Sequence, residues 1–164
     1  MKDFLNINIR RSSDPHRDIY LNITSNNLQC EADSYYLLLD KGVENQIGGF
    51  RKVLTVLIQI LEGWKIKVES LRLGSVDYLP FDFSDEYIGC LRVELLAGLN
   101  LSIQYGFTQK LMGMELSPSD VENFVIQNID FVPTSTSVFW DKELLVQNLN
   151  RCIENFTLQI ANES

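Results

Sequence analysis

A broad apolar stripe in the middle of the chain constrains its fold more than any other feature. Phe50, Leu54, Leu57 and Trp64 recur at intervals of four, three and seven residues, which places them on one face of an α-helix. Further apolar residues between them widen that face. The sequence therefore predicts a helix over about residues 46–64 that is deeply buried against a sheet.

Two segments before this helix alternate apolar and polar side chains, as half-buried strands do. They are Leu5–Ile9 and Ile19–Ile23, and turn-forming residues at 12–15 separate them. Further strands are predicted within Leu28–Ala32 and within Tyr35–Leu39. The first third of the chain is therefore expected to form sheet.

The segment after the helix also predicts sheet. Leu91–Leu95 and Leu99–Phe107 both alternate, and the short connection between them contains a glycine, which is typical of a hairpin. A strand is predicted over 70–76. Residues 79–83 are expected to form an edge strand, where their proline is tolerated.

The C-terminal part predicts a second long helix. Leu145 and Leu149 begin an apolar face with helical spacing, and Asp141 suits its N-cap, so we expect a helix over about 141–158. Ser117–Asp120 suits a helix start, and 124–132 fits helix or strand. The sequence predicts an α+β fold in a single domain, residues 1–164. Two main helices would pack on an antiparallel sheet, with a mixed sheet as the alternative.

Acidic residues outnumber basic ones by 22 to 14, for a net charge of −8. Residues 1–52 are neutral, residues 53–111 carry −2 and residues 112–164 carry −6. The chain lacks the basic footprint that binds phosphates or anionic lipids, so we expect no nucleic-acid and no membrane partner. A basic protein is the partner that this charge favours. The alternative is that the net negative charge only keeps the protein soluble.

Motifs of known enzyme chemistry are absent from the sequence. It has no phosphate-binding glycine loop and no G-x-S-x-G motif. The single histidine, His16, stands beside a proline in a predicted surface turn. We therefore expect no catalytic residue, no metal site and no cofactor. A pocket that holds carboxylates of shifted pKa would instead favour an enzyme.

The cysteine pattern and the first residues bear on the compartment. Cys30, Cys90 and Cys152 are an odd number with no C-x-x-C pair, which favours buried free thiols in a reducing compartment. The first residues lack the basic and apolar regions of a secretory signal. We expect a cytoplasmic protein.

The segment Val76–Ile88, here called the acidic-aromatic segment, combines four acidic and four aromatic residues with no basic one. Asp82, Asp85 and Glu86 suggest a divalent-cation site, and paired carboxylates also serve glycosidic chemistry. Protein recognition is the third interpretation, because tyrosines and carboxylates complement a basic surface. The structural alternative is an edge strand with its phenylalanines in the core and its acids in water.

In size, acidity and lack of catalytic motifs, the chain resembles small bacterial immunity proteins, which are compact cytosolic inhibitors of basic toxins. The resemblance implies a non-enzymatic protein that binds a toxin domain, such as a nuclease, and occludes its active site. No segment matches a motif of that group, so no residue roles are transferred. The alternatives are an acidic secretion-type chaperone with an exposed apolar groove, or an enzyme without a recognisable motif.

The expected partner-binding surface takes its residues from two places in the chain. The acidic-aromatic segment provides the main set, in which the two tyrosines are expected to stay exposed. A second acidic surface lies nearer the C-terminus. The first set is Asp77, Tyr78, Asp82, Asp85, Glu86 and Tyr87, and the second is Asp120, Glu122 and Asp130.

Overall fold

The computed structural model describes residues 5–11, 14–23, 28–44, 48–111 and 116–163. Its first sheet has three antiparallel strands in sequential order, and their inward side chains are buried. The strands are β1 (Leu5–Ile9), β2 (Ile19–Ile23) and β3 (Leu28–Ala32). All three confirm the sequence prediction, while part of the predicted turn at 12–15 lies outside the described residues.

The strand predicted within Tyr35–Leu39 is wrong, because a short helix, α1 (Ser34–Leu38), occupies this segment. Buried Asp18 accepts hydrogen bonds from the backbone N–H of Ser34 at 2.8 Å and from its hydroxyl at 2.6 Å. These two bonds fix the start of the helix, a long-range effect that alternation along the sequence does not reveal.

The central helix is confirmed as α2 (Gly49–Ser70), which ends six residues later than predicted. The extension exists because Lys67 and Val68 are buried and continue the inward face by another turn. Residues 45–47, at the predicted start, lie outside the described part. The predicted strand over 70–76 is wrong, because residue 70 is still helical and the next strand begins at residue 76.

A second, five-stranded antiparallel sheet follows. Its strands are β4 (Val76–Phe83), β5 (Ile88–Leu95), β6 (Asn100–Thr108), β7 (Val132–Pro133) and β8 (Val138–Asp141). β5 and β6 form the predicted hairpin, and Gly98 in its connection has φ +70°, a conformation that glycine adopts without strain. β6 also pairs with both short strands, so the long hairpin is the centre of this sheet.

β4 is an edge strand with one irregular position, as its proline predicts. Pro80 pairs with Cys90 and Asp82 pairs with Gly89, so Phe81 is an extra residue in the ladder and forms a β-bulge. The indole N–H of Trp64 donates to the carbonyl of Pro80 at 2.8 Å. The buried helix therefore holds the strand directly beside its bulge.

The last helix, α3 (Lys142–Asn162), confirms the second predicted helix and extends it by about one turn. The carboxylate of Asp141 caps it by accepting the N–H of Leu144 at 2.9 Å. The predicted helix start at Ser117–Asp120 forms a short 3-10 turn, Pro118–Asn123, and 124–132 is mostly irregular.

One hydrophobic cluster joins both sheets and the helices. α2 contacts α1, α3 and β4, so the apolar stripe is covered on several sides. These features confirm the α+β class with two main helices, although the strands form two sheets rather than one. Among the described helices, none has the length and apolar character needed to cross a membrane.

Candidate functional site

A cleft of about 900 Å³ lies where the two sheets meet. The β1–β2 loop and the edge strand β3 form one side, while the second sheet contributes residues from β4, β5 and β6. Clefts of this size are where proteins commonly bind ligands or partner side chains. The charged and aromatic side chains in it are Asp14, His16, Arg17, Glu31, Asp33, Asp82, Tyr87, Tyr105 and Phe107.

Asp82 is the buried acid of the cleft, with 9% of its surface exposed. Burial raises the pKa of its carboxyl from 3.8 to about 6, although hydrogen bonds from the hydroxyl of Tyr87 and the backbone of Asp33 oppose the shift. Asp33, Arg17, Tyr105 and Tyr87 are the titratable or charged groups nearest to it, together with the Cys30 thiol. In the part of the chain that the structure describes, Asp82 forms no salt bridge.

Two tyrosines flank this carboxylate. The hydroxyl of Tyr87 donates to Asp82 Oδ2 at 3.0 Å, and burial raises the pKa of Tyr87 to about 12. Burial also raises the pKa of Tyr105, and the negative charge of Asp82 adds to that shift. Gly89 makes this packing possible, because a Cβ there would lie 2.4 Å from the hydroxyl oxygen of Tyr105.

The rim of the cleft is organised by Asp33. Its carboxylate accepts the backbone N–H of Arg17 at 2.6 Å and lies 3.1 Å from Nδ1 of His16. The hydrogen bond with Asp33 raises the pKa of the imidazole above 6.5. Arg17 lies 3.9 Å from Glu31, and both side chains are largely exposed. His16 is thus an exposed loop residue, as predicted, but it belongs to the rim.

The cleft is negatively charged and its charge depends on pH. Four carboxylates against the guanidinium of Arg17 leave three net negative charges when Asp82 is ionised and His16 is neutral. Protonation of His16, whose pKa is raised above 6.5 by its hydrogen bond with Asp33, and of Asp82, whose pKa is about 6, leaves one net negative charge. Acidification therefore weakens the attraction of this cleft for cations.

Asp85 and Glu86 are exposed at the tip of the β4–β5 hairpin, beside the cleft residue Tyr87. The Ser84 hydroxyl accepts the backbone N–H of Glu86 and of Tyr87, each at 3.2 Å, and fixes the turn. Tyr36 of α1 interacts with the carboxylate of Asp85. Four of the predicted residues, Asp82, Asp85, Glu86 and Tyr87, therefore lie at one end of the molecule.

Asp77 and Tyr78 lie at the opposite end of β4. Tyr78 is 4% exposed and donates its hydroxyl to Asn128 at 2.9 Å, so the expectation of an exposed Tyr78 is wrong. Asp77 accepts a hydrogen bond from the ammonium of buried Lys67 at 2.8 Å. These contacts are internal, because α2 packs against β4 and the side chain of Tyr78 contacts Asn128 and Phe131.

The second predicted set does not join the cleft. Asp120 and Glu122 are exposed on the 3-10 turn beside α2. Asp130 lines a separate depression of about 500 Å³, in which Val125 and Ile129 are 76% and 85% exposed. These three residues form acidic surface away from the cleft.

Other groups in the described ranges bear on chemistry. Cys30, Cys90 and Cys152 are buried and are not joined in disulfides, which confirms this part of the prediction. Cys30 lines the cleft, but burial raises the pKa of its thiol to about 12, so it is not an activated nucleophile. Across residues 5–11, 14–23, 28–44, 48–111 and 116–163, no group of three or more His, Cys, Asp or Glu side chains is arranged to hold a metal ion.

The sequence prediction missed the part of the cleft that comes from the first sheet. Asp14, Glu31 and Asp33 lie about 50 or more residues before Asp82, and no local pattern indicates that they approach it. Alternation in β3 does place Glu31 outward, opposite buried Cys30. That was the one signal in the sequence for an exposed acid at this strand.

No protein-family model, curated protein or solved structure matches the chain.

Proposed function

We propose that the protein is a non-enzymatic immunity or inhibitor protein that binds a basic protein partner, a bacterial toxin domain, in the cytoplasm. One observation carries the proposal: the fold gathers carboxylates from three separate chain segments around one cleft with aromatic walls. The resemblance in size and acidity to immunity proteins supports the same conclusion. Inhibition would occur by occlusion, because a partner seated on the cleft has its own basic surface covered.

The proposed interface has a central contact and an exposed acidic surface around it. Asp82 is buried and Tyr87 is half-buried at the centre. Glu31, Asp85 and Glu86 are exposed around them. Aromatic side chains at an interface supply rigid contact area, and exposed carboxylates speed the encounter with a basic surface. Asp120, Glu122 and Asp130 would add to this long-range attraction without direct contact in the cleft.

Affinity capture from the native host tests the proposal. The bait proteins are the wild type, a cleft variant with Glu31→Gln, Asp85→Asn and Glu86→Gln, and a control variant with Glu62→Gln, Glu69→Gln and Glu154→Gln. All six residues are exposed, so both variants remove three surface charges and should fold. Capture is carried out at about 50 mM and about 300 mM salt.

We expect the wild type and the control variant to retain the same basic protein at low salt, and the cleft variant to lose it. The activity of that protein should be inhibited by the wild type and not by the cleft variant. Equal loss from both variants would show that only bulk charge matters and would contradict the proposed interface. Retention of many unfolded clients would support the chaperone alternative instead.

A second candidate, an enzyme that uses general acid–base chemistry, is favoured by one specific observation. Asp82 has a pKa raised to about 6 and shares the cleft with Asp33, and carboxylates in unlike environments are typical of glycosidic hydrolysis. Turnover of chromogenic glycosides by the wild type, abolished in Asp82→Asn, would establish this candidate. Under the binding proposal, neither protein hydrolyses them.

A further inference from the structure

The cleft contains a buried carboxylate, that of Asp82. Exposed carboxylates alone would attract a basic protein, so this burial needs another explanation. Asp82 is 9% exposed, yet its partners are a hydroxyl and a backbone group rather than a lysine or arginine. An asparagine would satisfy the Tyr87 hydroxyl equally well without burying a charge. A charge kept in such a place is typical of a functional site.

An aromatic wall stands next to this carboxylate. The rings of Tyr87 and Phe107 are 5.9 Å apart between centroids and inclined at 65°, and both line the cleft. Aromatic ring faces attract cations that approach them, and guanidinium groups stack on such faces more readily than ammonium groups. The cleft therefore has the buried carboxylate of Asp82 beside the aromatic rings of Tyr87 and Phe107.

The carboxylate of Asp33 provides a second acceptor at the rim of the same cleft. It is held in position by the backbone N–H of Arg17 at 2.6 Å and by the His16 ring at 3.1 Å. A planar guanidinium with five N–H donors can engage more than one carboxylate while its face lies against a ring. An ammonium is more strongly hydrated and loses more on entering a half-buried site.

We propose that the cleft is the receptor for an arginine side chain of the partner, with Asp82 and Asp33 as its carboxylate acceptors and the Tyr87–Phe107 wall as its stacking surface. The inference rests on the proposed function and names the chemistry of its central contact.

Titration of the isotope-labelled protein with N-acetyl-arginine amide, observed by NMR, tests the inference. The Nα-acetyl amide of lysine carries the same charge as the arginine compound. The Nα-acetyl amide of citrulline has nearly the shape of the arginine compound but no charge. We expect saturable shifts of the Gly89 and Gly106 amides, which lie in the cleft, at affinities at least about threefold higher for arginine than for lysine. The citrulline compound should not saturate.

Variants locate the contact. At pH of about 7.5, Asp82→Asn should weaken arginine binding on the order of tenfold, and Phe107→Leu about threefold. Glu154→Gln, the same carboxylate-to-amide change on the exposed face of α3, should leave it unchanged. Amide spectra outside the cleft that match the wild type show that each variant is folded.

Equal binding of lysine and arginine, binding of the citrulline compound, or no saturable arginine binding would each overturn this inference. None of these results decides the proposed function, because the capture experiment with the exposed acidic residues tests that separately. Loss of the basic partner from the cleft variant combined with equal arginine and lysine binding would leave an acidic interface without an arginine receptor.

Discussion

An aspartate and a tyrosine lie at or beside each end of β4, but the two pairs are used in different ways. At the first end, Asp77 is paired with the ammonium of Lys67, and Tyr78 donates to Asn128. At the other end, Asp82 accepts the hydroxyl of Tyr87 and stands in an open cleft. A charge that the protein pairs with its own cation is structural, whereas a buried carboxylate without a salt bridge among the described residues is available to a ligand.

The first end can be broken by Lys67→Met, which should lower the free energy of unfolding by about 3 kcal/mol. The substitution removes the hydrogen bonds from Nζ to Asp77 and to the carbonyl of Phe124, at 2.8 and 2.6 Å. Lys65→Met, on the same helix, is the control and should change much less. Urea unfolding measures both, and equal losses would show that Lys67 acts through packing alone.

The second end should respond in the opposite direction. Asp82→Asn is expected to stabilise the protein at neutral pH by up to about 3 kcal/mol, because burial raises the pKa of the carboxyl from 3.8 to about 6. The native state holds this proton more tightly, so wild-type stability falls as pH rises between those values and is constant above them. The advantage of the variant should therefore disappear below a pH of about 4.

Urea unfolding of both proteins across this pH range measures the effect, with Glu154→Gln as the control. A difference between Asp82→Asn and the wild type that does not change with pH would contradict the assignment of the penalty to a buried charge.

A smaller effect is expected from Tyr87→Phe. The hydroxyl of Tyr87 lowers the pKa of Asp82 by donating to the carboxylate, so its removal should raise that pKa further and cost about 1 kcal/mol of stability. NMR titration of the Asp82 carboxyl carbon measures the pKa. An unchanged value would mean that the bond does not form in solution.

The smallest effect belongs to the acidic surface outside both ends of β4. Asp120→Asn combined with Glu122→Gln should change stability by less than about 0.5 kcal/mol, because both side chains are exposed. The pair should slow association with a basic partner slightly and leave dissociation unchanged, as surface plasmon resonance measures. A faster dissociation rate would place these residues in the contact itself.

Periodicity predicted the parts of the fold that local patterns determine. The stripe in α2 and the alternation in β5 and β6 identified those elements because each buries one face of its own. Alternation failed at Ser34–Leu38, where the carboxylate of distant Asp18 starts a helix. The end of α2 was also missed, because a buried lysine continues its inward face.

The site was predicted only as far as it lies within one segment. Asp82, Asp85, Glu86 and Tyr87 share a hairpin and were found as an acidic-aromatic cluster. Asp33 and its hydrogen-bond partners His16 and Arg17 reach the cleft only because the first sheet packs beside the second. The sequence also did not indicate that Asp77 lies away from the cleft. Asp77 forms an ion pair with Lys67, and Lys67 reaches it only because this part of α2 is buried.

The extra residue in β4 separates the register of the cleft from the length of the strand. Phe81 is inserted between the Pro80–Cys90 and Asp82–Gly89 pairs, whose partners are adjacent residues of β5. Loss of this one residue would therefore keep Asp82 opposite Gly89 and Phe83 opposite Ile88, while the core would lose a phenylalanine that is 2% exposed. A single lost codon at the bulge would weaken the fold and leave the pairing at the cleft in register, whereas a codon lost at a regular position of β4 would shift the side chains beyond it to the other face.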